Sequence, residues 1–242
     1  MKNPNEKIEQ LRQSARGLTP AEIIKLSFEE FEKRVNFASS LGEEDQVITD
    51  MISKVAPAIE IFTLDTGRLH QETYDLLSKT QKRYKLSFKI YYPDTAAVEK
   101  MVKEKGINLF YESIENRKLC CGIRKVVPLQ RALKNVDAWI CGLRREQSVT
   151  RKDIDLFEWD EANEKIKISP LVDWTLDDVH KYIKENNVDV NALHAKGFIS
   201  IGCAPCTRAV RPGEDIRAGR WWWERPDQKE CGLHFHKAQG EK

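Results

Sequence analysis

The chain has 242 residues, of which 40% are hydrophobic and 32% are charged, and its formal net charge at pH 7 is only +2. This composition is typical of a globular protein with a substantial core and excludes a chain that is disordered throughout. No apolar run is long enough to cross a bilayer as a helix, and the N-terminus lacks the apolar segment of a secretory signal. We therefore expect a cytoplasmic protein, in which six cysteines need an explanation other than disulfides.

The first 34 residues are predicted to form helices. The second of these has a clear start, because Thr19 is a suitable N-cap, Pro20 suits the first helical position and Glu22 completes a capping box. The function of this N-terminal part is not indicated by its residues.

From residue 35 onward, short apolar runs alternate with amphipathic segments. The predicted strands are residues 35–39, 59–64, 88–92, 136–143 and, more weakly, 166–168. The predicted helices are residues 44–55, 71–84, 95–105, 121–133 and a last one from its N-cap Thr175 to residue 186. This alternation predicts an α/β protein with a parallel sheet flanked by helices, in which ligands bind at the carboxyl ends of the strands. The last 40 residues are predicted to be irregular, and no second domain boundary is indicated.

Polar loops follow the first two predicted strands. Residues 39–45 contain Ser39, Ser40 and Gly42 before a helix, which favours phosphate or sulfate binding at its free amides. Three consecutive carboxylates and the absence of the Walker lysine speak against a standard P-loop, and an ordinary capped turn is the alternative. Residues 64–70, with Leu64 and Thr66, could likewise contact a nucleotide or form a plain turn.

Basic residues are concentrated between residues 114 and 152, which hold ten Lys or Arg against three acidic residues. This charge suits either a solvated helix face or a site for an anionic small ligand or nucleic acid. Within it, the fourth predicted strand is followed by arginines that could bind phosphate through two parallel hydrogen bonds, or form a salt-bridged loop. The candidate residues of this loop are Gly142, Arg144, Arg145 and Arg151.

The cysteines give a sharper indication. Cys120 and Cys121 are adjacent, and Cys203 and Cys206 form a C-x-x-C pair further along the chain. Four thiolates could converge on one metal centre, although an adjacent pair is atypical of tetrahedral zinc, and buried or redox-active cysteines are the alternatives. The last cysteine, Cys231, is followed by two histidines near the C-terminus, and is either a nucleophile or an incidental exposed thiol.

Taken together, the chain closely resembles the assimilatory sulfonucleotide reductases, specifically the iron–sulfur adenylyl-sulfate (APS) reductases, relatives of the PAPS reductases. The resemblance extends from about residue 35 to residue 235, and its most characteristic stretches are residues 120–125, 142–148, 200–207 and 230–234. It implies an adenine-nucleotide-binding fold of the ATP-pyrophosphatase type. It also implies one reductase domain over residues 1–242, made of N-terminal helices (1–34), a nucleotide-binding and cluster core (35–206), and a substrate-covering loop with a mobile catalytic tail (207–242).

The resemblance implies thioredoxin-dependent reduction of adenylyl sulfate to sulfite and AMP, in sulfate assimilation and cysteine biosynthesis. Cys231 would attack the sulfur and carry a cysteine S-sulfonate, which thioredoxin, or glutaredoxin, would then cleave. Cys120, Cys121, Cys203 and Cys206 match the ligands of a [4Fe-4S] cluster. The residues implied in substrate binding are Ser39, Ser40, Gly42, Leu64, Thr66, Lys125, Gly142, Arg144, Arg145, Arg151, Arg217, Arg220 and His234.

Three alternatives stay open from the sequence. The first is a PAPS reductase or an enzyme that accepts both nucleotides, the second is a non-redox ATP pyrophosphatase of the same fold, and the third is a zinc-stabilised nucleotide-binding module. No nucleic acid or membrane partner is expected, and a homo-oligomer is compatible with the sequence.

Overall fold

A computed structural model describes residues 4–147 and 151–225. Its centre is a six-stranded sheet of order β3-β2-β1-β4-β6-β5, in which all neighbours are parallel except the antiparallel pair β5 and β6. The strands are β1 Val35–Ala38, β2 Glu60–Leu64, β3 Phe88–Tyr91, β4 Ala138–Ile140, β5 Phe157–Asp160 and β6 Lys165–Ile168. The predicted α/β class with a mainly parallel sheet is confirmed.

Eight α-helices flank this sheet in the part of the chain that the structure describes. They are α1 Pro4–Ser14, α2 Pro20–Phe31, α3 Glu43–Val55, α4 Gln71–Tyr84, α5 Thr95–Lys105, α6 Ile114–Cys121, α7 Val127–Leu133 and α8 Leu176–Asn186. The predicted capping box of α2 is present, since Thr19 Oγ1 accepts a hydrogen bond from the backbone N–H of Glu22 and the Glu22 side chain accepts one from Thr19 N at 2.8 Å. Thr175 caps α8 in the same way, with Asp178 as the reciprocal acceptor.

The structure differs from the sequence expectations in three elements. β5 was not predicted, because the run Phe157–Asp160 is short and lies within a strongly charged stretch. β4 is shorter than the predicted strand 136–143, although Cys141 N still donates to Ile168 O at 2.9 Å beyond its end. The predicted helix 121–133 starts earlier, at Ile114, where the Ser113 side chain caps it, and it passes through a wide helical turn at Gly122–Val126 before α7.

The core lies on both faces of the sheet, as expected for strands buried on two sides. Phe37, Ile61 and Ile140 belong to one buried cluster with residues of α1 to α4 and α8. Phe62 follows Ile61 in β2 and Trp139 precedes Ile140 in β4, so both side chains point to the other face of the sheet. They belong to a second buried cluster with residues of α7.

The strand order places a crevice between the ends of β1 and β4. The chain moves outward from β1 to β3 on one side and then returns to β4 on the other side of β1. Loops diverge at such a reversal point, and this is where open α/β sheets bind ligands. No helix among the described residues is long and apolar enough to span a membrane.

Candidate functional site

The loop after β1 leads directly into the N-terminus of α3. Gly42 is the N-cap of this 13-residue helix and offers no side-chain cap. Ser39 is buried, and its Oγ accepts a hydrogen bond from Leu41 N at 3.2 Å. The helix N-terminus therefore keeps donors that can face an anion across the loop.

The three carboxylates that argued against phosphate binding all have partners. Glu43 contacts His180 at 3.3 Å, and Glu44 Oε1 accepts from Arg144 at 2.9 Å. Asp45 Oδ2 accepts from both the backbone N and the Oγ of Ser40, each at 2.6 Å. Each carboxylate is thus paired within the protein, which reduces its repulsion of an anion at the helix N-terminus.

Asp45 is buried, and its environment explains the glycine after β4. Burial raises the pKa of its carboxyl from 3.8 to about 6, against the lowering effect of the Ser40 hydrogen bonds. A Cβ on Gly142 would lie 2.3 Å from Asp45 Oδ1. Only glycine therefore allows the β4 loop to approach α3 this closely.

The arginines after β4 have different environments. The buried Arg144 lies in the crevice, where it donates to Glu44 and, at 3.2 Å, to Trp174 O. Arg145 turns away and donates to Ile154 O at 2.9 Å, with ion pairs to Asp155 and Asp173.

A cavity of about 260 Å³ occupies the crevice and brings most of the predicted substrate-binding residues together. Arg145 is not among its lining residues, so its predicted contact with substrate stays a prediction. The sequence-predicted residues that line the cavity are Ser39, Ser40, Gly42, Leu64, Thr66, Lys125, Gly142, Arg144, Arg151, Arg217 and Arg220. The predicted residues Cys231 and His234 lie outside the described residues.

The loop after β2 connects this cavity to the cysteines. Asp65 Oδ1 accepts from Gly67 N at 2.8 Å, which forms the turn considered from the sequence, and Gly67 has the positive φ of +70° that such a turn requires. The neighbouring Thr66 is completely buried and lines the cavity, and its Oγ1 lies 3.2 Å from Cys203 Sγ. Ala204 N also donates to Arg68 O at 2.7 Å, which attaches the C-x-x-C turn to the same loop.

Two distant segments bring four cysteines together. Cys120 and Cys121 end α6, and Cys203 and Cys206 enclose a short 3-10 turn. The charge on Cys203 affects the pKa of both Cys120 and Cys206, and the charge on Cys121 affects that of Cys206, so the four thiols are electrostatic neighbours. None of the five cysteines in the described ranges forms a disulfide.

The thiols differ in their proton affinity. Burial raises the pKa of the Cys206 thiol to about 12, with a further contribution from Cys203. Burial acts in the same direction on Cys203, but Lys125, the hydrogen bond to Thr66, and two arginines outweigh it and hold its pKa below the ordinary value. Cys206 is thus buried among apolar side chains, while the half-buried Cys203 faces cations on the cavity side.

The donor set suits a cofactor that prefers sulfur ligands. Four thiols without disulfides are electrostatic neighbours, and the buried indole N–H of Trp221, whose backbone N donates to Cys206 O at 3.2 Å, has no acceptor in the part of the chain described here. A thiolate-bound iron–sulfur cluster would offer bonds for the four thiols. Over residues 4–147 and 151–225, no three His, Cys, Asp or Glu side chains are grouped to hold a single metal ion.

Lys125, Arg217 and Arg220 also line the cavity, and the charges of Lys125 and Arg220 lower the pKa of Cys203. Arg220 is the most enclosed, at 7% exposure, and its guanidinium donates weakly to Ser200 Oγ at 3.4 Å and to Ile201 O at 3.3 Å. A Cβ on Gly202 would lie 2.4 Å from its Nη2, so that glycine makes room for the guanidinium. Arg220 Nε has no partner among the described residues, and a guanidinium of this kind is suited to bind a multiply charged anion.

Sequence reasoning missed Arg124, which lies between the two halves of the site. It is buried and donates to Thr66 O at 2.6 Å, and its charge lowers the pKa of Cys120 against the larger effect of burial. A spacing of four residues on one helix places Arg124 on the same face as Cys120, and this spacing could have identified it.

Comparison with known proteins agrees with this geometry. The model of the phosphoadenosine phosphosulfate reductase domain matches residues 34–209. The adenosine 5'-phosphosulfate reductase of Burkholderia cepacia is 54% identical over 202 residues, which cover 84% of this chain and 81% of that protein. The protein of the same name from Allochromatium vinosum is 50% identical over 198 residues, covering 82% and 77% of the two chains.

Solved structures show the same fold. The phosphoadenylyl-sulfate (PAPS) reductase of Candida auris, solved as a phosphate complex, has a TM-score of 0.73 and 32% identity over 85% of this chain and 97% of that chain. The FMN adenylyltransferase of Candida glabrata, solved with FAD and pyrophosphate, has a TM-score of 0.56 and 15% identity, covering 88% and 73%. The predicted adenine-nucleotide-binding type of fold is confirmed.

Proposed function

The chain belongs to the phosphoadenosine phosphosulfate reductase family, and on this premise we propose that it reduces adenylyl sulfate to sulfite and AMP in sulfate assimilation. The observation that carries this proposal is that Lys125, Arg217 and Arg220 line one cavity, in which Lys125 and Arg220 are close enough to Cys203 to lower its pKa. A nucleotide whose phosphate carries a sulfate presents its negative charges where these cations lie. The reaction needs reduced thiols, which suits the cytoplasmic location expected from the sequence.

In the proposed reaction, the Cys231 thiolate attacks the sulfur of adenylyl sulfate. A bond forms between that sulfur and Cys231 Sγ, the bond to the phosphate oxygen breaks, and AMP leaves with the electron pair. The cations offset the charge that gathers as two anions meet. A thioredoxin thiolate then attacks Cys231 Sγ, sulfite leaves, and the second thioredoxin thiol resolves the mixed disulfide, so that thioredoxin is oxidised and Cys231 returns as a thiol.

Individual side chains have distinct parts in this proposal. Ser39 and Gly42 would present the loop and helix donors to the phosphate, and Leu64 and Gly142 would contact the adenosine from the ends of their strands. Arg220 would bind the sulfate oxygens and Lys125 would lie between the substrate and the cysteines.

Cys120, Cys121, Cys203 and Cys206 are proposed to hold a [4Fe-4S] cluster. When bound, it would supply a structural link between α6 and the C-x-x-C turn and an electrostatic influence on the cavity. Exchange of one ligand tests this assignment: Cys203→Ser should lose iron and stability together, because cluster ligation is coupled to folding. Cys141→Ser, which changes a buried cysteine of the β4 end, should keep its iron; a Cys203→Ser protein with full iron content would contradict the ligand set.

The substrate test is sulfite release by anaerobically purified, iron-quantified protein, supplied with thioredoxin and either APS or PAPS. Sulfite and AMP from APS alone are expected. Comparable rates with PAPS would show that the enzyme accepts both nucleotides. PAPS is included because the chain is 32% identical to a PAPS reductase. No sulfite from either nucleotide would contradict the proposal and favour an ATP-using relative, which should release pyrophosphate from ATP with magnesium.

A further inference from the structure

Arg117 forms a buried ion pair that the proposed reaction does not use. It lies on α6, three residues before Cys120, and is 1% exposed. Its Nε donates to Glu224 Oε1 at 3.0 Å and its Nη2 to Glu224 Oε2 at 2.8 Å. The Glu224 side chain is also buried, at 2% exposure, so this two-pronged pair joins α6 to the C-terminal end of the described chain out of contact with water.

The same arginine shares an aromatic partner with the anion site. The Arg117 guanidinium lies 4.9 Å from the centre of the Trp221 ring, and the Arg220 guanidinium lies 4.6 Å from it. Two cations over one buried indole repel each other, and the Glu224 carboxylate offsets that repulsion. Arg117, Glu224 and Arg220 therefore form one group of charges around the Trp221 ring, in which the position of each charged side chain depends on the others.

The backbone around Trp221 is held under constraint. Its φ of +40° is uncommon for a residue with a side chain. Hydrogen bonds on both sides retain it, from Trp221 N to Cys206 O at 3.2 Å and from Glu224 N to Trp221 O at 2.8 Å. Trp221 lines the cavity and packs in the same buried cluster as Cys206, and the Arg220 guanidinium over its ring lies against Gly202.

We infer that Arg117 is a positioning residue, which keeps Glu224 paired and thereby leaves Arg220 available to the substrate anion. The inference rests on the proposed function, because it concerns the binding of adenylyl sulfate. A buried carboxylate that has lost its partner is strongly destabilised, and pairing with another nearby cation lowers its free energy. If Arg117 no longer binds both carboxylate oxygens of Glu224, the cation that already shares Trp221 with it is Arg220, and a pair with the freed oxygen would draw Arg220 away from the cavity.

The test compares two ligands by isothermal titration calorimetry on iron-loaded, full-length protein that carries Cys231→Ser, so that bound adenylyl sulfate is not consumed. Adenylyl sulfate needs Arg220, whereas adenosine has no anionic group and reports only on the rest of the cavity. In this background, Arg117→Gln should raise the Kd for adenylyl sulfate about tenfold or more, since hydrogen bonds to charged groups are strong. The Kd for adenosine should change by no more than about twofold. The double variant Arg117→Gln with Glu224→Gln should recover most of the affinity for adenylyl sulfate, because no carboxylate then competes for Arg220.

A merely structural role would give a different pattern. The inference would be overturned by any of three results. Arg117→Gln could lose affinity for both ligands to the same extent, it could keep its affinity for adenylyl sulfate, or the double variant could bind adenylyl sulfate no better than Arg117→Gln. If Arg117→Gln does not fold, Arg117→Lys carries the test, since lysine cannot make the two-pronged contact and should still weaken adenylyl sulfate selectively. Equal affinity in the lysine variant and the parent would overturn the inference in that case.

A matched control separates positioning from general stability. Asp50→Asn alters another buried carboxylate, which accepts from Tyr84 at 3.0 Å and Tyr182 at 2.8 Å. This variant should lower the melting temperature without changing the ratio of the two affinities; a change as large as that of Arg117→Gln would overturn the inference. A parent protein that binds adenosine but no adenylyl sulfate would instead contradict the proposed function, and this inference with it.

Discussion

The Thr66 hydroxyl lies 3.2 Å from the Cys203 thiol, so a single side chain borders both the cavity and the cysteine group. A hydroxyl can donate to a thiolate, and the hydrogen bond to Thr66 is one of the contacts that lower the pKa of Cys203. If the cysteines hold a cluster, this contact stabilises the ligand from outside it.

Thr66→Val should therefore release iron faster than the parent protein. Loss of one hydrogen bond of about 1 kcal/mol corresponds to a rate increase of about fivefold. The measurement is the rate of iron transfer to a chelator under anaerobic conditions. Thr66→Ser keeps the hydroxyl and should release iron at close to the parent rate; equal rates for the valine and parent proteins would show that the contact does not support the ligand.

Cys231→Ser should abolish sulfite release while binding of adenylyl sulfate and iron content are kept. The physical reason is that the serine hydroxyl is a far weaker nucleophile than a thiolate. Sulfite release, calorimetric binding and iron content are measured on one preparation. Substantial sulfite from this variant would remove Cys231 from the proposed mechanism.

Gly142→Ala should destabilise the protein and weaken nucleotide binding. The added Cβ would lie 2.3 Å from Asp45 Oδ1 and 3.0 Å from Glu44 Cβ, so the loop after β4 must move away from α3. Overpacking of this kind costs about 1–3 kcal/mol of unfolding free energy. Urea unfolding measures the effect.

Gly122→Ala is the matched control for this substitution. Gly122 has helical backbone angles, and a Cβ there would meet no atom within 4 Å. The free energy of unfolding should stay the same or rise, because alanine favours the helix. A cost equal to that of Gly142→Ala would show that the close approach to Asp45 is not the cause.

Asp45 should make the stability of the protein depend on pH in an unusual direction. Burial raises the pKa of its carboxyl to about 6, above the ordinary value of 3.8, so the folded state favours the protonated form. This stabilisation is complete below the ordinary pKa and is lost as the pH rises through about 6. Asp45→Asn should remove this loss, on the order of 2–3 kcal/mol at neutral pH.

The check is urea unfolding of the parent and Asp45→Asn proteins at pH 5 and pH 7.5. Asparagine can still accept from Ser40, so the variant should gain stability over the parent mainly at pH 7.5. A difference between the two proteins that is equal at both pH values would mean that Asp45 does not titrate in this range.

Local patterns in the sequence predicted most of the elements but not how they meet. Thr19 with Glu22 and the N-cap Thr175 indicated the starts of α2 and α8, since capping depends on residues only three positions apart. The pairing of Glu44 with Arg144 spans 100 residues and depends on the strand order.

The neighbouring arginines after β4 illustrate the same limit. Arg144 and Arg145 are equally plausible ligands in the sequence, yet Arg144 lines the cavity and Arg145 turns toward Asp155 and Asp173. Adjacent side chains at a strand end point to different sides, and only the surrounding packing decides which of them faces the crevice.

The long sequence separation between the two cysteine pairs has a consequence during synthesis. Cys203 follows Cys121 by 82 positions in the chain. At a translation rate of about 5–20 residues per second, the first pair waits about 4–16 seconds before the second has been made. If all four cysteines hold the proposed cluster, Cys120 and Cys121 lack their partner ligands throughout that interval, and the cluster can be completed only after residue 206 has been made.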